Sequence, residues 1–420
     1  MSEADQSCCS RLGLRWSPCF WTPRSGSIPA GKLADRVGRK KMFLTAIVIF
    51  TTGSVLCGLA PNVATLIAAE MLEAVGAAIL VPSSLALVLQ SFPRDKIPAA
   101  VAVWGAIGAA AGAFGPTLGA LIVSNLSWRW AFYLNVPVGL VSFLVGRAAL
   151  PEGRQTNPGR LPDLASVGLL AVGVASITFG IVETNTAGWA SLRFVSPAVA
   201  GIVLLSLFIA RSRKIRNPVV SLDLFRANNF RWANLGMTVH AMGTSAMFLS
   251  NILFLTRVWH YSILRAGLAV SVGPAIVAVT GARFGKLAGR IGQRALLIPG
   301  GFLTAAGGLH LLVRASSAPA YLSVYLPTMV LMAFGVSLCL PQLSSAAVQS
   351  LPPDHFASGS AVGQAVRNFG ATLGVAMAIA LLGAAKGPTA ITCFRHLWSA
   401  LAILGLGVSA LSSRLVRVTP

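Results

Sequence analysis

The sequence predicts an all-α polytopic membrane protein, a two-half helical bundle with about 12 transmembrane helices in this chain. Three observations predict this fold: a composition poor in charge, a series of long apolar runs, and a decapeptide that occurs twice. Of the 420 residues, 55% are hydrophobic and 10% are charged, and the mean hydropathy is +0.75. A soluble domain carries about 25% charged residues. Most of this chain must therefore face lipid or pack against itself.

The apolar runs approach or exceed the roughly 20 residues that a helix needs to cross a bilayer. They are too long and too uniformly apolar for the strands of a membrane barrel, whereas a helix satisfies its backbone groups internally. The predicted spans lie near residues 42–60, 63–90, 99–123, 130–150, 163–184, 194–212, 232–255, 264–284, 295–313, 320–345, 357–385 and 395–413.

The decapeptide at 31–40, GKLADRVGRK, recurs at 285–294 as GKLAGRIGQR with six identities. Secondary transporters commonly consist of internal repeats around a central site. The second copy follows two predicted helices and precedes four, whereas the first copy is followed by four and preceded by none. We therefore expect two helices to be missing before the first copy. The helices near 163–184 and 194–212 are then an inserted pair.

The repeat divides the chain into four predicted segments. Residues 1–27 hold no run long enough for a span or a signal peptide, and we expect them to be disordered or an artefact of a wrong reading. Residues 28–162 are predicted to form an N-terminal half with four of six helices and a signature loop at 31–41. The inserted helix pair and a basic cytoplasmic linker occupy 163–231, and a C-terminal half with six helices and a degenerate signature loop at 285–294 occupies 232–420.

The distribution of basic residues predicts the orientation. Of the 33 Lys and Arg, 22 lie in one set of alternate connections and in the C-terminal tail, and only seven lie in the other set. Basic residues are retained on the cytoplasmic side, so both repeat loops and both termini are predicted to be cytoplasmic in the inner or plasma membrane. The net charge of +22 does not indicate nucleic-acid binding, because the basic residues are scattered between apolar runs.

The chain lacks the motifs of common catalytic and metal sites. It contains no P-loop, no HExxH helix and no GxSxG elbow. Its six cysteines form no CxxC pair and have no histidine at metal-ligand spacing. We expect no enzyme activity, no metal and no cofactor. The energy for transport would come from an ion gradient.

The loop at 31–41 carries glycines and one acid among five bases. Asp35 can accept hydrogen bonds at a helix N-terminus and pair with a neighbouring arginine in one conformer, so we interpret the loop as a latch. An exposed ion pair contributes about 0 to 1 kcal/mol, which biases only a near-balanced equilibrium. The alternative is ordinary positive-inside topology. The gating candidates are Gly31, Asp35, Arg36, Gly38, Arg39 and Lys40.

The predicted span 99–123 carries glycines at helical spacing. Small residues on one face predict a close approach to a neighbouring helix. A proline inside the run removes a backbone donor and kinks or stiffens the helix, which suits a pivot between gate and cavity. Generic close packing explains the spacing equally well. The candidate residues are Gly108, Gly112, Gly115, Pro116 and Gly119.

Among the ionisable residues inside predicted spans, three are proton-coupling candidates. Glu70 and Glu73 are three residues apart and share a helix face. A charge at the bilayer centre costs about 2.5 to 3.5 kcal/mol or more, so we expect the pair to hold one proton and to titrate as a unit. The alternative is a protonated pair with only packing duties. Arg367, close to Gln364 and Asn368, is the third candidate.

Three motifs resemble those of a known family. Residues 31–40 resemble the cytoplasmic loop signature of the major facilitator superfamily, and the stretch 112–119, GAFGPTLG, resembles its antiporter motif. The stretch 127–139, SWRWAFYLNVPVG, is similar to a segment of its fourteen-helix drug/proton antiporters of the EmrB/QacA type. The resemblance covers the chain from about Ile28 onward. It implies proton-coupled export of amphipathic drugs by a rocking two-half bundle.

The chain departs from this family pattern at several positions. The family usually carries an arginine linked to proton transfer at the position of Glu70, and Gln and Gly are common where Glu73 and Ala74 stand. Ala120 replaces a closing glycine of the antiporter motif. The resemblance therefore implies an altered proton coupling.

These observations favour proton-coupled efflux of drugs or other amphipathic small molecules by alternating access. The expected partners are the small-molecule substrate, protons and the lipid bilayer. Nucleic acid is not among them, and the sequence leaves periplasmic or outer-membrane adaptor proteins open. A solute uptake carrier of the same superfamily is the first alternative. An inactive truncated membrane protein without transport is the second.

Overall fold

The computed structural model describes residues 39–91, 107–108, 111, 115, 117–150, 163–188, 190–215, 222–351, 356–383 and 390–416. Within these ranges the chain is helical and contains no strand. The helices are α1 Arg39–Leu59, α2 Val63–Ser91, α3 Trp130–Tyr133, α4 Asn135–Ala149, α5 Leu164–Ala187, α6 Leu192–Lys214, α7 Asn228–Arg257, α8 Ile263–Ile291, α9 Gln293–Arg314, α10 Leu326–Gln349, α11 Phe356–Leu382 and α12 Ala390–Ser412.

Two short elements complete the described chain. A 3₁₀ helix, Leu222–Arg226, precedes α7, and a π-helical turn, Tyr321–Tyr325, leads directly into α10. Residues 117–125 are also helical.

Eleven helical segments within the described ranges are long and apolar enough to cross a membrane. Their bounds match eleven of the predicted spans to within a few residues, because continuous apolar runs of this length favour helices that satisfy their own backbone groups. The remaining predicted span, 99–123, lies largely outside the described residues. The predicted all-helical membrane fold is confirmed.

Side-chain caps mark where several helices begin. Asp163 accepts a hydrogen bond from the Ser166 backbone at the start of α5, at 3.3 Å. Ser191 and Ser262 cap α6 and α8 in the same way. Each cap satisfies a backbone N–H group that has no partner within the helix.

The packing follows the predicted repeat. In the N-terminal half, α1 packs against α2 on one side and against α3 and α4 on the other. In the C-terminal half, α9 packs in the same way between α10 and α12. Helix α7 packs against α10, α11 and α12, while α5 and α6 pack against each other and α5 also contacts α11.

The C-terminal half contains the largest buried clusters. One is centred on aromatic side chains of α7, α12 and the π-helical turn, with Phe254 packed edge-on against Phe394 and Trp398 at ring distances of 5.3 and 5.1 Å. Other helices bury little of their surface. The spans Trp130–Ala149 and Leu192–Lys214 are each only 11% buried. Apolar surface of this extent suits contact with lipid rather than with water.

Candidate functional site

Both glutamates proposed for proton coupling, Glu70 and Glu73, are buried on α2. The exposed fractions are 5% for Glu70 and 7% for Glu73. Their predicted position inside an apolar helix is therefore confirmed. Their coupling to protons stays a prediction. Because a carboxyl group in a low-dielectric interior needs hydrogen-bond partners, its neighbours define the candidate site.

Glu73 lies among three polar side chains from α1 and α4. The Cys57 thiol donates to its Oε2 atom at 3.6 Å, and the Asn135 amide donates to its Oε1 atom at 3.4 Å. The same amide donates to the Ser54 hydroxyl at 2.9 Å. Ser54 in turn donates to the backbone carbonyl of Phe132 at 3.0 Å. We call Ser54, Cys57, Glu73 and Asn135 the carboxyl cluster.

Close helix packing brings the carboxyl cluster together. A Cβ atom built on Gly53 would fall within 3 Å of the Glu73 backbone, and one on Gly76 would fall within 3 Å of Phe50. Glycine at these two positions therefore lets α1 and α2 approach closely. This approach sets Cys57 opposite the Glu73 carboxyl group.

Sequence reasoning found Glu73 but missed its three partners. Serine and cysteine are common in membrane helices, and a single sequence gives no sign that they face a glutamate on the next helix. Asn135 stood inside the family-like stretch 127–139. Its polar amide at the start of an apolar span was the one available signal.

Arg367 lies in a different part of the bundle. It is half-buried on α11, and its positive charge acts on His240 of α7. Gln364 donates to Asn368 one turn away at 3.3 Å. Helix α2 packs against α1, whereas α11 packs against α5, α7, α10 and α12. The fold thus places Arg367 apart from the two glutamates.

Helix α11 and its neighbours α7 and α10 carry several buried polar atoms. Among the described residues, the side-chain atoms Nε2 of His240, Oδ1 of Asn234, Nδ2 of Asn368 and Nε2 of Gln342 are buried without a hydrogen-bond partner. Buried polar atoms are usually paired. These helices therefore offer polar contacts that a bound molecule or water could satisfy.

Most residues of the predicted gating loop lie outside the described residues, namely Gly31, Asp35, Arg36 and Gly38. Arg39 opens α1, and Lys40 follows it, half-exposed. The latch stays a prediction.

The second copy, 285–294, is mostly helix rather than the predicted loop. Helix α8 continues to Ile291, and α9 begins at Gln293. The single residue between them, Gly292, has φ 89°, a backbone conformation that glycine adopts most readily. Lys286 and Arg290 are exposed on the last turns of α8. The turn is this short because residues 285–291 contain no proline, so α8 keeps its helical hydrogen bonds up to Ile291.

The antiporter-like motif is described only in part, and Gly112 and Pro116 lie outside the described residues. Among the described positions, a Cβ atom built on Gly108, Gly115 or Gly119 would meet no atom within 4 Å. The predicted close helix approach stays a prediction. Thr117, next in the motif, instead hydrogen-bonds to the Ser271 hydroxyl of α8.

No group of three His, Cys, Asp or Glu side chains within the described ranges could hold a metal ion. The described features are those of a multi-pass helical membrane protein with buried acidic and basic groups on separate helices. A model of the Major Facilitator Superfamily matches residues 19–375. The chain belongs to the major facilitator superfamily, as its motifs predict.

Several similar proteins are named for multidrug resistance or multidrug transport. The chain is 32% identical over 356 residues to the Multidrug resistance protein Stp of Mycobacterium tuberculosis, covering 84% of this chain and 66% of Stp. It is 29% identical over 362 residues to the Multidrug transporter protein MdtP of Bacillus subtilis, covering 85% of this chain and 66% of MdtP. The chain thus spans just under two thirds of the length of these relatives.

Solved structures show the same fold at low sequence identity. A POT family transporter in complex with 5-aminolevulinic acid superposes with a TM-score of 0.67 at 16% identity, covering 95% of this chain and 87% of the other. The human organic anion transporter MFSD10 superposes with a TM-score of 0.62 at 17% identity, covering 95% and 83%. At this identity the likeness extends to the fold alone.

Proposed function

We propose that this protein is a secondary transporter that exports drugs or other amphipathic small molecules in exchange for protons. The observation that carries the proposal is the buried pair Glu70 and Glu73 in a chain about 30% identical to proteins named for multidrug resistance. Membership of a superfamily of transporters, together with the absence of catalytic motifs from the sequence, favours transport over enzymatic chemistry.

The acid pair suits proton coupling for an electrostatic reason. An ionised carboxylate inside a membrane helix costs about 2.5 to 3.5 kcal/mol or more, so a buried glutamate holds a proton until a change of conformation admits water or a countercharge. Two acids on adjacent turns also disfavour double ionisation. Release on the cytoplasmic side and uptake on the outer side would then drive export.

The remaining candidate residues have roles within the same cycle. Arg367 and the unpartnered polar atoms of α7, α10 and α11 would contribute to the midplane cavity between halves. The loop at 31–41 would tie helix ends in one conformer, and the glycines at 108–119 would allow movement beside the Thr117 contact with α8. The proton gradient supplies the energy, so the cycle needs no cofactor. The protein lies in the inner or plasma membrane with both termini in the cytoplasm.

Dye accumulation in cells tests the proposal. Cells that express the chain should retain less of a fluorescent amphipathic dye than cells with an empty vector, and collapsing the proton gradient should abolish the difference. Greater retention with the chain would contradict efflux and favour uptake. Equal retention, together with no dye flux in proteoliposomes under a pH gradient, would contradict transport by this chain.

A further inference from the structure

The two halves of the bundle contain matching close contacts between helices. Gly53 of α1 lies against Glu73 of α2, and Gly307 of α9 lies against Met332 of α10, in each case within 3 Å of an added Cβ atom. Because Gly53 and Gly307 are equivalent in the register set by the decapeptide repeat, Met332 is the counterpart of Glu73.

A second pair of contacts gives the same register. Gly76 of α2 approaches Phe50, and Gly335 of α10 approaches Thr304. The separation between Gly76 and Gly335 is the same as that between Glu73 and Met332. Phe50 and Thr304 are likewise equivalent in the register of α1 and α9.

A third helix packs against α1 and against α9, and its glycine contact gives an equivalent pair of positions. Gly139 of α4 lies against Thr51, and Gly405 of α12 lies against Ala305. Thr51 and Ala305 are equivalent positions of α1 and α9. Three independent glycine contacts therefore define one framework of three helices that the chain contains twice.

The framework holds polar residues in one half and apolar residues in the other. In this register the carboxyl cluster, Ser54, Cys57, Glu73 and Asn135, corresponds to Gly308, Leu311, Met332 and Leu401. Leu311, Met332 and Leu401 are each 1% exposed. The same helix geometry thus packs well without any polar group, so holding the helices together does not require the carboxyl cluster.

We propose that the carboxyl cluster is a proton-binding site in which Glu73 is the acid and Asn135, Ser54 and Cys57 are positioning residues. The inference rests on the proposed function and deepens it, because it assigns a built site to one of the two acids. The proton binds at one oxygen of the Glu73 carboxylate and leaves from the same atom.

The contacts of the site explain how it can bind and release a proton. Burial penalises the carboxylate, whereas the two donors, one on each carboxylate oxygen, stabilise it. Asn135 is itself held by Ser54, which is anchored on the Phe132 carbonyl of the one-turn helix α3. A movement of α3 and α4 relative to α2 would remove one donor and shift the balance towards the protonated acid.

The charged and titratable groups around the site are few among the described residues. Cys57 faces Glu73 from α1, and Glu70 lies one turn earlier on α2. From the segment before α3, the Arg129 guanidinium donates to the Ala60 carbonyl at 3.3 Å, close to the end of α1. Glu73 lies ten residues into α2, about 15 Å along the helix, which is about half the roughly 30 Å thickness of the hydrocarbon core. A proton gradient drives protons inward from the outer surface.

Infrared titration of the purified protein in lipid tests the site directly. In a Glu70→Gln background, which removes the other buried acid of α2, we expect a protonated carboxyl band that disappears as the pH rises and that is lost when Glu73→Gln is added. Its midpoint should move to higher pH by about one unit in Asn135→Leu, since one donor to the carboxylate is lost. The matched control is Asn125→Leu, because the Asn125 side chain is exposed and bonds only within its own segment. An unchanged midpoint in Asn135→Leu, or a band that persists in Glu73→Gln, would overturn the proposal.

A second variant separates loss of the proton-binding site from loss of the fold. The combined change Ser54→Gly, Cys57→Leu, Glu73→Met and Asn135→Leu installs the residues that the C-terminal half already packs in this framework. In the same Glu70→Gln background it should fold and lose the carboxyl band. A folded variant that keeps the band would contradict the assignment. Because the titration alone decides the site, a failure to export dye would contradict the proposed function and leave the site standing.

Discussion

The buried Glu73 carboxyl group keeps hydrogen bonds to its neighbours. Its two carboxylate oxygens each meet a donor, from Cys57 and from Asn135. A buried polar group that keeps its hydrogen bonds costs far less than an unpaired one. The side chain therefore stays in place in either protonation state.

We expect Glu73→Gln to lower gradient-driven dye efflux at least about tenfold while the protein still folds, because the amide has the same shape and cannot exchange a proton at neutral pH. Efflux from cells and the expression level of the folded protein measure the two effects. Glu183→Gln is the matched control, since Glu183 is another acid inside a span, on α5. Equal efflux by wild type and Glu73→Gln would remove the carrier role from Glu73.

At the scale of helices, α1 is the most tightly enclosed element of the N-terminal half. Gly53 and Gly76 permit its contact with α2, and Gly139 permits its contact with α4. Lipid tails are as apolar as leucine, so close van der Waals packing rather than the hydrophobic effect holds such helices together.

Gly53→Ala should destabilise the protein by about 1 to 3 kcal/mol, the usual cost of overpacking, because the new methyl group would fall within 3 Å of the Glu73 backbone. Thermal unfolding in detergent measures the change. Gly273→Ala is the control, since an added Cβ atom there meets nothing within 4 Å. Equal destabilisation by both changes would show that helix flexibility, and not the contact, is responsible.

The inserted pair α5 and α6 has an ion pair at its predicted cytoplasmic end. The Arg211 guanidinium donates to both carboxylate oxygens of Asp163, at 2.5 and 3.0 Å. Hydrogen bonds from Arg211 and then from Ser166 hold the pKa of Asp163 well below its usual 3.8. Asp163 also caps α5, so one side chain joins the start of one helix to the end of the other.

Because the folded-state pKa of Asp163 is lowered, its contribution to stability is complete above about pH 4 and is lost as the pH falls towards the folded-state value. Asp163→Asn should lower the unfolding temperature at pH 7, and the difference from wild type should narrow below pH 4. Asp223→Asn is the control, since the Asp223 and Arg226 pair is 82% and 86% exposed and exposed pairs contribute little. A difference that stays constant down to pH 3 would contradict the role of the ion pair.

At the scale of the whole molecule, the repeat predicts that both basic connections lie on one side of the membrane. Lys40 lies in the first turn of α1 and Lys286 lies on the last turns of α8. The segment around Leu126, which is 55% exposed, lies at the opposite end of the helices of its half.

In a background without accessible native thiols, Lys40→Cys and Lys286→Cys should react with a membrane-impermeant maleimide only after the membrane is permeabilised. Leu126→Cys should react in intact cells, because the charge bias places that connection outside. The fraction labelled before and after permeabilisation is the measurement. Labelling of Lys40→Cys and Lys286→Cys from opposite sides would contradict the duplicated architecture.

Much of the fold could be predicted from the sequence. Eleven predicted spans match helices, because a run of apolar residues has one stable backbone conformation in lipid. Prediction was weaker for connections, as at 285–294, where a single glycine forms the turn. The close approach predicted for Gly108, Gly115 and Gly119 stays a prediction, because small residues at helical spacing indicate close packing only when a second helix lies against them.

By itself, the sequence predicted the helical membrane fold, the duplication, the family and the two buried acids. Composition, the spacing of apolar runs and short motifs depend only on the order of residues along the chain. Only the tertiary structure decided which side chains meet. Cys57 and Asn135 reach Glu73 because α1 packs between α2 and α4, and that packing depends on where separate helices lie in space. The apolar counterpart of the carboxyl cluster likewise emerged only when the contacts of both halves were compared.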